Sequence, residues 1–362
     1  EPPMKRAISR IVGVCLVCAG CGGGGGEGRD VLPGDPGAGD PGPADATGGD
    51  PGDAAADDAF GERDAVPADP GPADDGPPPV DPRCASVRMN RSNPIQVDDV
   101  SRQFWLHGPG AATGPGGKWP VVFLWHGFNA VMINDGIDLA ALQFSNLLAP
   151  EVGNAAYPFL LVTPMADGVA ALDWNILDVY DGDDNPDVRL FDEVLGLLDA
   201  CYGVDPDRIH SLGFSAGAIM TDLLGVTRGD RMASLLTWSG GYIANPANDT
   251  GEFDVIWPGP GPSSGWTQVV VRGGSKDIWV SPFVTINFDD WTRNDLSWLN
   301  GQGHDVIACW HTRGHQVPMN WGMDYVLDFF RTHPRGTVDS PYRNGLPESF
   351  PTDCAFHGRA AE

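Results

Sequence analysis

The run Gly213-Phe214-Ser215-Ala216-Gly217 sets a hydroxyl between two residues that carry no side chain. Arg208-Ile209-His210-Ser211-Leu212 before it reads as a strand, and Ala218-Ile219-Met220-Thr221-Asp222-Leu223-Leu224 after it reads as a helix. A strand that turns straight into a helix at a serine strains that serine. The helix start then aims its free N–H groups and positive dipole end at whatever the hydroxyl attacks. Side chains at the flanking glycines would collide with neighbouring backbone. Ser215 is therefore the candidate nucleophile.

A serine hydroxyl needs a base, and the base needs an acid to orient it. Asp277 closes Gly273-Gly274-Ser275-Lys276-Asp277, just after a strand-like run at 267–271. His315 lies in Arg313-Gly314-His315-Gln316-Val317-Pro318, just after another at 305–311. Both leave the C-terminal ends of strands, where sites form in open α/β sheets. Asp305 and Asp289 are the substitutes for the acid, and His311 and His304 those for the base. His311 belongs to the strand itself and His304 precedes it at the wrong end. His107, His210, His333 and His357 read as ordinary partly buried or surface residues. The oxyanion of a tetrahedral intermediate needs preformed donors. One is the N–H of Ala216, directly after the nucleophile. The other is expected from His126-Gly127-Phe128-Asn129, after a strand at 119–125, with Phe128 N–H as the donor and His126 and Gly127 shaping the loop.

The elements that must hold these groups alternate between strand and helix from about residue 100 onward. Strand-like runs lie at 102–106, 119–125, 159–163, 208–213, 235–238, 267–271 and 305–311. Helical periodicity covers 137–148, 188–200, 216–224, part of 282–299, and 319–330. Trp119-Pro120-Val121-Val122-Phe123-Leu124-Trp125 is apolar throughout, as a strand buried on both faces must be. Such alternation predicts an α/β fold with a mostly parallel sheet flanked by helices. Residues 243–265, rich in Gly, Pro, Asn and Asp, read as an inserted loop near the substrate face.

The chain has 362 residues and a net charge of −27, spread unevenly. Residues 22–82 hold fifteen acidic and two basic residues among Gly, Pro, Asp and Ala, with few large apolar ones. Such a stretch cannot bury enough apolar surface to offset its ordering entropy and reads as a disordered, self-repelling linker. The sizeable core belongs to one catalytic domain at 83–362, whose charge of −16 argues against nucleic acid as a partner. No apolar run reaches the roughly 18 residues of a transmembrane helix.

Residues 1–21 read as a signal peptide. Met4, Lys5, Arg6 and Arg10 form a basic start, 11–20 a short apolar stretch, and Glu1-Pro2-Pro3 look like extra upstream residues. Cys18-Ala19-Gly20-Cys21 resembles a bacterial lipobox, which implies lipidation of Cys21 and a membrane anchor outside the cytoplasm. Cys18 stands where Leu is usual, and an ordinary signal peptide cleaved near Ala19 is the alternative. Cys84, Cys201, Cys309 and Cys354 then remain in an oxidising compartment, enough for two disulfides with three possible pairings.

Asp181-Gly182-Asp183-Asp184-Asn185-Pro186-Asp187 spaces oxygen ligands like a calcium loop. Pro186 stands where that loop needs Gly and Asp192 where it needs Glu, so it reads as an acidic loop opening a helix, and no metal site is expected.

Together these residues resemble secreted α/β-hydrolases of the polyhydroxybutyrate depolymerase and feruloyl esterase (carbohydrate esterase family 1-like) type. The matching pieces, spread over about 100–330, are Leu124-Trp125-His126-Gly127, Trp174-Asn175, Asp187-Val188, Cys201-Tyr202-Gly203-Val204-Asp205-Pro206-Asp207-Arg208-Ile209, Gly213 to Met220, and Gly314-His315-Gln316-Val317-Pro318. Such enzymes usually carry Trp between the base and the proline, where this chain has Gln316-Val317. The resemblance implies an α/β-hydrolase fold, a triad in the chain order Ser215, Asp277, His315, and ester hydrolysis without cofactor or metal by a monomer. Trp174 and Phe128 are expected to line the substrate pocket, with a core role for Trp174 as the alternative. Three functions stay open: a polyester depolymerase, a feruloyl or acetyl esterase on plant polysaccharide, and a non-catalytic surface binding protein on a hydrolase scaffold. A peptidase of the same fold is a fourth.

Overall fold

A computed structural model describes residues 81–110, 113–128, 139–167, 172–177, 184–250, 257, 265–280, 285–337 and 339–359. The signal segment, Cys21, all but the last residues of the acidic linker, the start of the acidic loop at 181–183 and much of the inserted loop lie outside the described residues.

Nine strands form one sheet in the order β1-β2-β4-β3-β5-β6-β7-β10-β11. They are β1 (Arg91–Val97), β2 (Val100–His107), β3 (Trp119–Trp125), β4 (Leu160–Pro164), β5 (Val204–Phe214), β6 (Ser234–Trp238), β7 (Thr267–Arg272), β10 (Val306–Trp310) and β11 (Cys354–His357). The six central strands, β4 to β10 in that order, run parallel; β1, β2 and β11 pair antiparallel at the two edges. A separate hairpin, β8 (Ile278–Val280) with β9 (Thr285–Asn287), follows Asp277 directly.

The alternation of side chains along a strand explains why β3 is apolar at every position. Val121, Phe123 and Trp125 enter the core on one face, and Val122 and Leu124 enter the other. Helices α2 (Pro186–Tyr202), α3 (Ala216–Thr227) and α4 (Phe288–Gly301) cover the first face. Leu148 of α1 (Leu139–Leu148) and the apolar stripe of α5 (Asp324–Thr332) cover the second. Local chemistry sets the helix limits. Asn185 accepts from the N–H groups of Asp187 and Val188 with Pro186 in the first turn, and Gly203, at φ 70°, ends α2.

The sequence reading misses β1, β11 and the β8–β9 hairpin. The helix expected at 319–330 is a 3-10 turn at Met319–Trp321 followed by α5, because Gly322 turns to φ 69° between them. The cysteines pair as Cys84–Cys201 and Cys309–Cys354. The first fastens the start of the domain to the last turn of α2; the second clips edge strand β11 to β10, where the two residues are register partners.

Two buried carboxylates sit beside the sheet. Asp222 of α3 accepts from Gly241 N–H and Gln268 Nε2, both at 2.8 Å. Asp295 of α4 accepts from Tyr242 N–H (3.0 Å), Asn245 Nδ2 (2.8 Å) and Asn248 Nδ2 (2.9 Å). Between them they hold the segment after β6 against two helices. Burial pushes the Asp222 carboxyl well above its usual range, and the charge of Asp295 adds to this; the bonds from Gln268 and Gly241 offset it in part. Burial likewise pushes Asp295 up to about 7, against the pull of its bonds from Asn245, Tyr242 and Asn248.

Two outcomes are expected. Replacing both Cys84 and Cys201 with serine should lower Tm by roughly 5–10 °C in calorimetry, because this bridge closes a loop of more than a hundred residues. The second concerns pH. An acid whose folded value lies above its unfolded one binds its proton more readily when folded. Its contribution is intact below about pH 4 and lost as pH rises through 7. The change in Tm caused by Asp295→Asn should therefore be more favourable at about pH 8.5 than at about pH 4.5. Equal changes at both would refute the assignment.

Candidate active site

β5 ends at Phe214, and Ser215 turns the chain into α3 with φ 55° and ψ −122°. Both flanking glycines are required. A β-carbon on Gly213 would overlap the carbonyl of Gly217, and one on Gly217 would overlap the carbonyls of Trp125 and His126. Ser215 N–H donates to Trp238 O on the neighbouring strand at 2.9 Å, which fixes the turn to the sheet. A non-glycine residue at such a φ costs energy and persists only where its surroundings enforce it.

The three expected residues converge. Ser215 Oγ lies 2.9 Å from His315 Nε2, and His315 Nδ1 lies 2.8 Å from Asp277 Oδ1. An ionised carboxylate only accepts, so Nδ1 carries the proton and Nε2 is left to accept from the serine hydroxyl. Asp277 is fully buried, and its second oxygen accepts from Ser239 Oγ (2.8 Å) and Gly273 N–H (2.7 Å). Its carbonyl accepts from Phe288 N–H at 2.9 Å, which ties the acid to the start of α4. The rings of Phe288 and Phe214 pack against the imidazole, each with its centroid at 4.8 Å. The acid and base loops interlock: Gly314 N–H donates to Gly273 O at 3.1 Å, and a β-carbon on Gly273 would overlap the Gly314 backbone.

The competing acids and bases are occupied elsewhere. Asp289 pairs with Arg272 and Arg293. Asp305 accepts from Ser340 N–H and Arg343, and these bonds hold its carboxyl low although burial opposes them. The His304 ring packs on Trp266 with centroids 3.9 Å apart, and His311 Nδ1 accepts from Arg313 N–H.

The loop expected to supply the second oxyanion donor lies against the nucleophile turn. A β-carbon on Gly127 would stand 2.9 Å from the Phe214 ring and 3.2 Å from its carbonyl oxygen, so only glycine lets the loop come this close. Phe128 is partly exposed and meets Trp279 edge to face, centroids 6.4 Å apart. Asn129 lies outside the described residues. Trp174 corrects its expected place in the pocket: it is 1% exposed, so it has almost no surface for a substrate to touch. Its Nε1–H donates to His126 O at 2.9 Å and its ring meets Trp125 edge to face, which makes it a support beneath that loop. Asp187 anchors the support in turn, accepting from Asn175 N–H (2.6 Å), Asn175 Nδ2 (2.8 Å) and the buried Arg102 (2.8 Å). Asp187 and Asp192, both in the candidate calcium loop, are thus taken up by cations, Asp192 by Arg228 and Arg231. Among the described residues no group of three or more His, Cys, Asp or Glu is placed to hold a metal.

Ser239, Gly273 and Phe288 are the site residues that the sequence reading misses. The one signal for Ser239 is its place in Trp238-Ser239-Gly240-Gly241, a serine and two glycines directly after a strand.

No protein-family model matches the sequence, and no curated protein matches it. Solved structures match it in shape. Native pOPH aligns with a TM-score of 0.57 at 19% identity, over 79% of this chain and 97% of that one. Native sOPH gives 0.57 at 18%, over 75% and 94%. A complex of a pOPH variant with pNPB gives 0.55 at 17%, over 79% and 96%. At such identities the likeness concerns the fold, and with the parallel sheet covered on both faces and the turn at Ser215 it gives the conclusion: this chain has the α/β-hydrolase fold.

Proposed function

We propose that the chain is a serine carboxylic-ester hydrolase acting outside the cytoplasm, with a polyester of the polyhydroxybutyrate type as its substrate. The observation that carries the reading is the unbroken relay from Ser215 through His315 to buried Asp277. Ser215 Oγ attacks the ester carbonyl as its proton passes to His315 Nε2. The imidazolium is held and stabilised by Asp277. The carbonyl oxygen, now negative, takes hydrogen bonds from the N–H groups of Ala216 and Phe128. Collapse expels the alcohol, which takes the proton from His315, and leaves an acyl-serine. Water then enters with His315 again as base and frees the acid and Ser215. Every step uses side chains and backbone of this chain, with no cofactor. One pOPH structure holds pNPB, which is in keeping with ester chemistry on this fold.

The polymer reading is supported by exposed apolar residues on the segments that follow Asp277 and His315 in the chain. Ile278 and Val280, the latter 70% exposed, follow Asp277, and exposed Met319 follows His315 by four residues. A feruloyl or acetyl esterase is the second reading. It is favoured by a cavity of about 350 Å³ edged by Asp249, Asn287, Asp290 and Asn294, polar groups of the kind that bind sugars, next in the chain to Phe288. The extracytoplasmic reading draws on the signal-like segment and the two disulfides.

Ser215→Ala should lower turnover of a p-nitrophenyl ester by at least about 10³-fold and abolish labelling by a fluorophosphonate probe. Unchanged turnover would refute the mechanism, and a wild-type chain that neither turns over nor labels would point to the binding-protein reading. Release of 3-hydroxybutyrate from polymer, set against release of ferulate from a feruloylated sugar, decides the ester. In cell fractionation Cys21→Ala should move the protein from the membrane to the soluble fraction; continued membrane association would refute the lipid anchor.

A further inference from the structure

Two serines occupy matching places on neighbouring strands. Phe214 of β5 and Trp238 of β6 are register partners, and the residue that follows each strand is a serine at φ 55°. Ser215 is one. Ser239 is the other, fully buried, with its N–H donating to Val271 O at 2.7 Å on the strand beyond. Its hydroxyl donates to Asp277 Oδ2 at 2.8 Å, opposite the oxygen that faces His315. A buried serine in the left-handed region is strained, and its neighbours enforce it. Gly240 follows, where a β-carbon would stand 2.9 Å from Asp222 Oδ2 and 3.0 Å from Ala218 Cβ. Gly241 N–H is then bound by Asp222 and Tyr242 N–H by Asp295, while Asn245 and Asn248 close on Asp295.

The two carboxylates belong to the helices that carry the rest of the site. Asp222 lies on α3, which starts at the nucleophile, and Asp295 lies on α4, which starts at the phenylalanine stacked on His315. The segment between Ser239 and Asn248 is thus fastened to the nucleophile's helix on one side and to the base's support on the other.

We propose that Ser239 is a positioning residue that fixes the rotation of the Asp277 carboxylate so that Oδ1 faces His315, and that Asp222 and Asp295 hold Ser239 in place. The proposal rests on the esterase reading above. Without the Ser239 hydroxyl, Asp277 keeps only Gly273 N–H on its outer oxygen and can rotate away from the imidazole. The base then loses its orientation while the surface that meets substrate stays as it was.

Glycine separates this role from a merely structural one. Ser239→Gly removes the hydroxyl and also relieves the backbone strain, since glycine adopts φ 55° freely. If Ser239 only shaped the turn, the glycine variant would keep wild-type turnover. The expected result, for the full chain with p-nitrophenyl butyrate, is a kcat about 10- to 100-fold lower with KM within about twofold, the loss of one charge-assisted hydrogen bond. Ser239→Cys, of nearly the same size but a weak donor, should fall between serine and glycine, and it serves if the glycine variant does not fold. Wild-type kcat in either folded variant overturns the proposal, as does a loss confined to KM. The Ser215→Ala control keeps the two ideas apart. If that variant is active, the esterase reading fails; if it is inactive while Ser239→Gly keeps wild-type kcat, only this inference fails.

Discussion

A carboxylate with no exposed surface must have each oxygen met by a donor, or its charge costs several kcal/mol. Asp277 is such a group, and the site is arranged around meeting that demand. The donors come from three separate parts of the chain: Ser239 after β6, Gly273 after β7, and His315 after β10. Each lies just past the C-terminal end of its strand, so the parallel sheet is what brings them to one point. The imidazole is one of the three, and its proton on Nδ1 is set by the same demand that satisfies the acid.

Around this centre the packing is backbone against backbone. Gly213 meets Gly217, Gly217 meets Trp125 and His126, and Gly273 meets Gly314, each too close for a side chain. Contacts between main chains change little with rotamer choice, so they fix the turn at Ser215, the loop after β3 and the loops of Asp277 and His315 more firmly than side-chain packing would. The buried polar groups Arg102, Asp187, Asp222 and Asp295 then bind the loops to the helices behind them.

The parts legible in the sequence are those whose physics is local. Gly213 to Gly217 names a turn, β3 names a two-faced strand, and the loops of Asp277 and His315 follow from the ends of runs with strand periodicity. The parts that were not legible depend on distant partners. Ser239 looks like any serine after a strand until Asp277 closes on it from 38 residues away. Trp174 reads equally as pocket or core, and its burial and its bond to the His126 carbonyl decide between them. Strand β11 is four residues long, and a cystine joins it to β10. The β8–β9 hairpin has strands of three residues, too short for an alternation to register.

The cystine between Cys84 and Cys201 has a mechanical meaning as well as a thermodynamic one. Edge strand β1 begins only seven residues after Cys84, and a strand pulled from its free end peels away one hydrogen-bonded pair after another. Force arriving along the chain from the N-terminal side meets the disulfide first. It is diverted into the last turn of α2, beside Gly203 and the start of β5, at the end of the sheet away from Ser215. The load path thus enters the domain at the pole opposite the triad and spares both β1 and the loops whose spacing sets the relay.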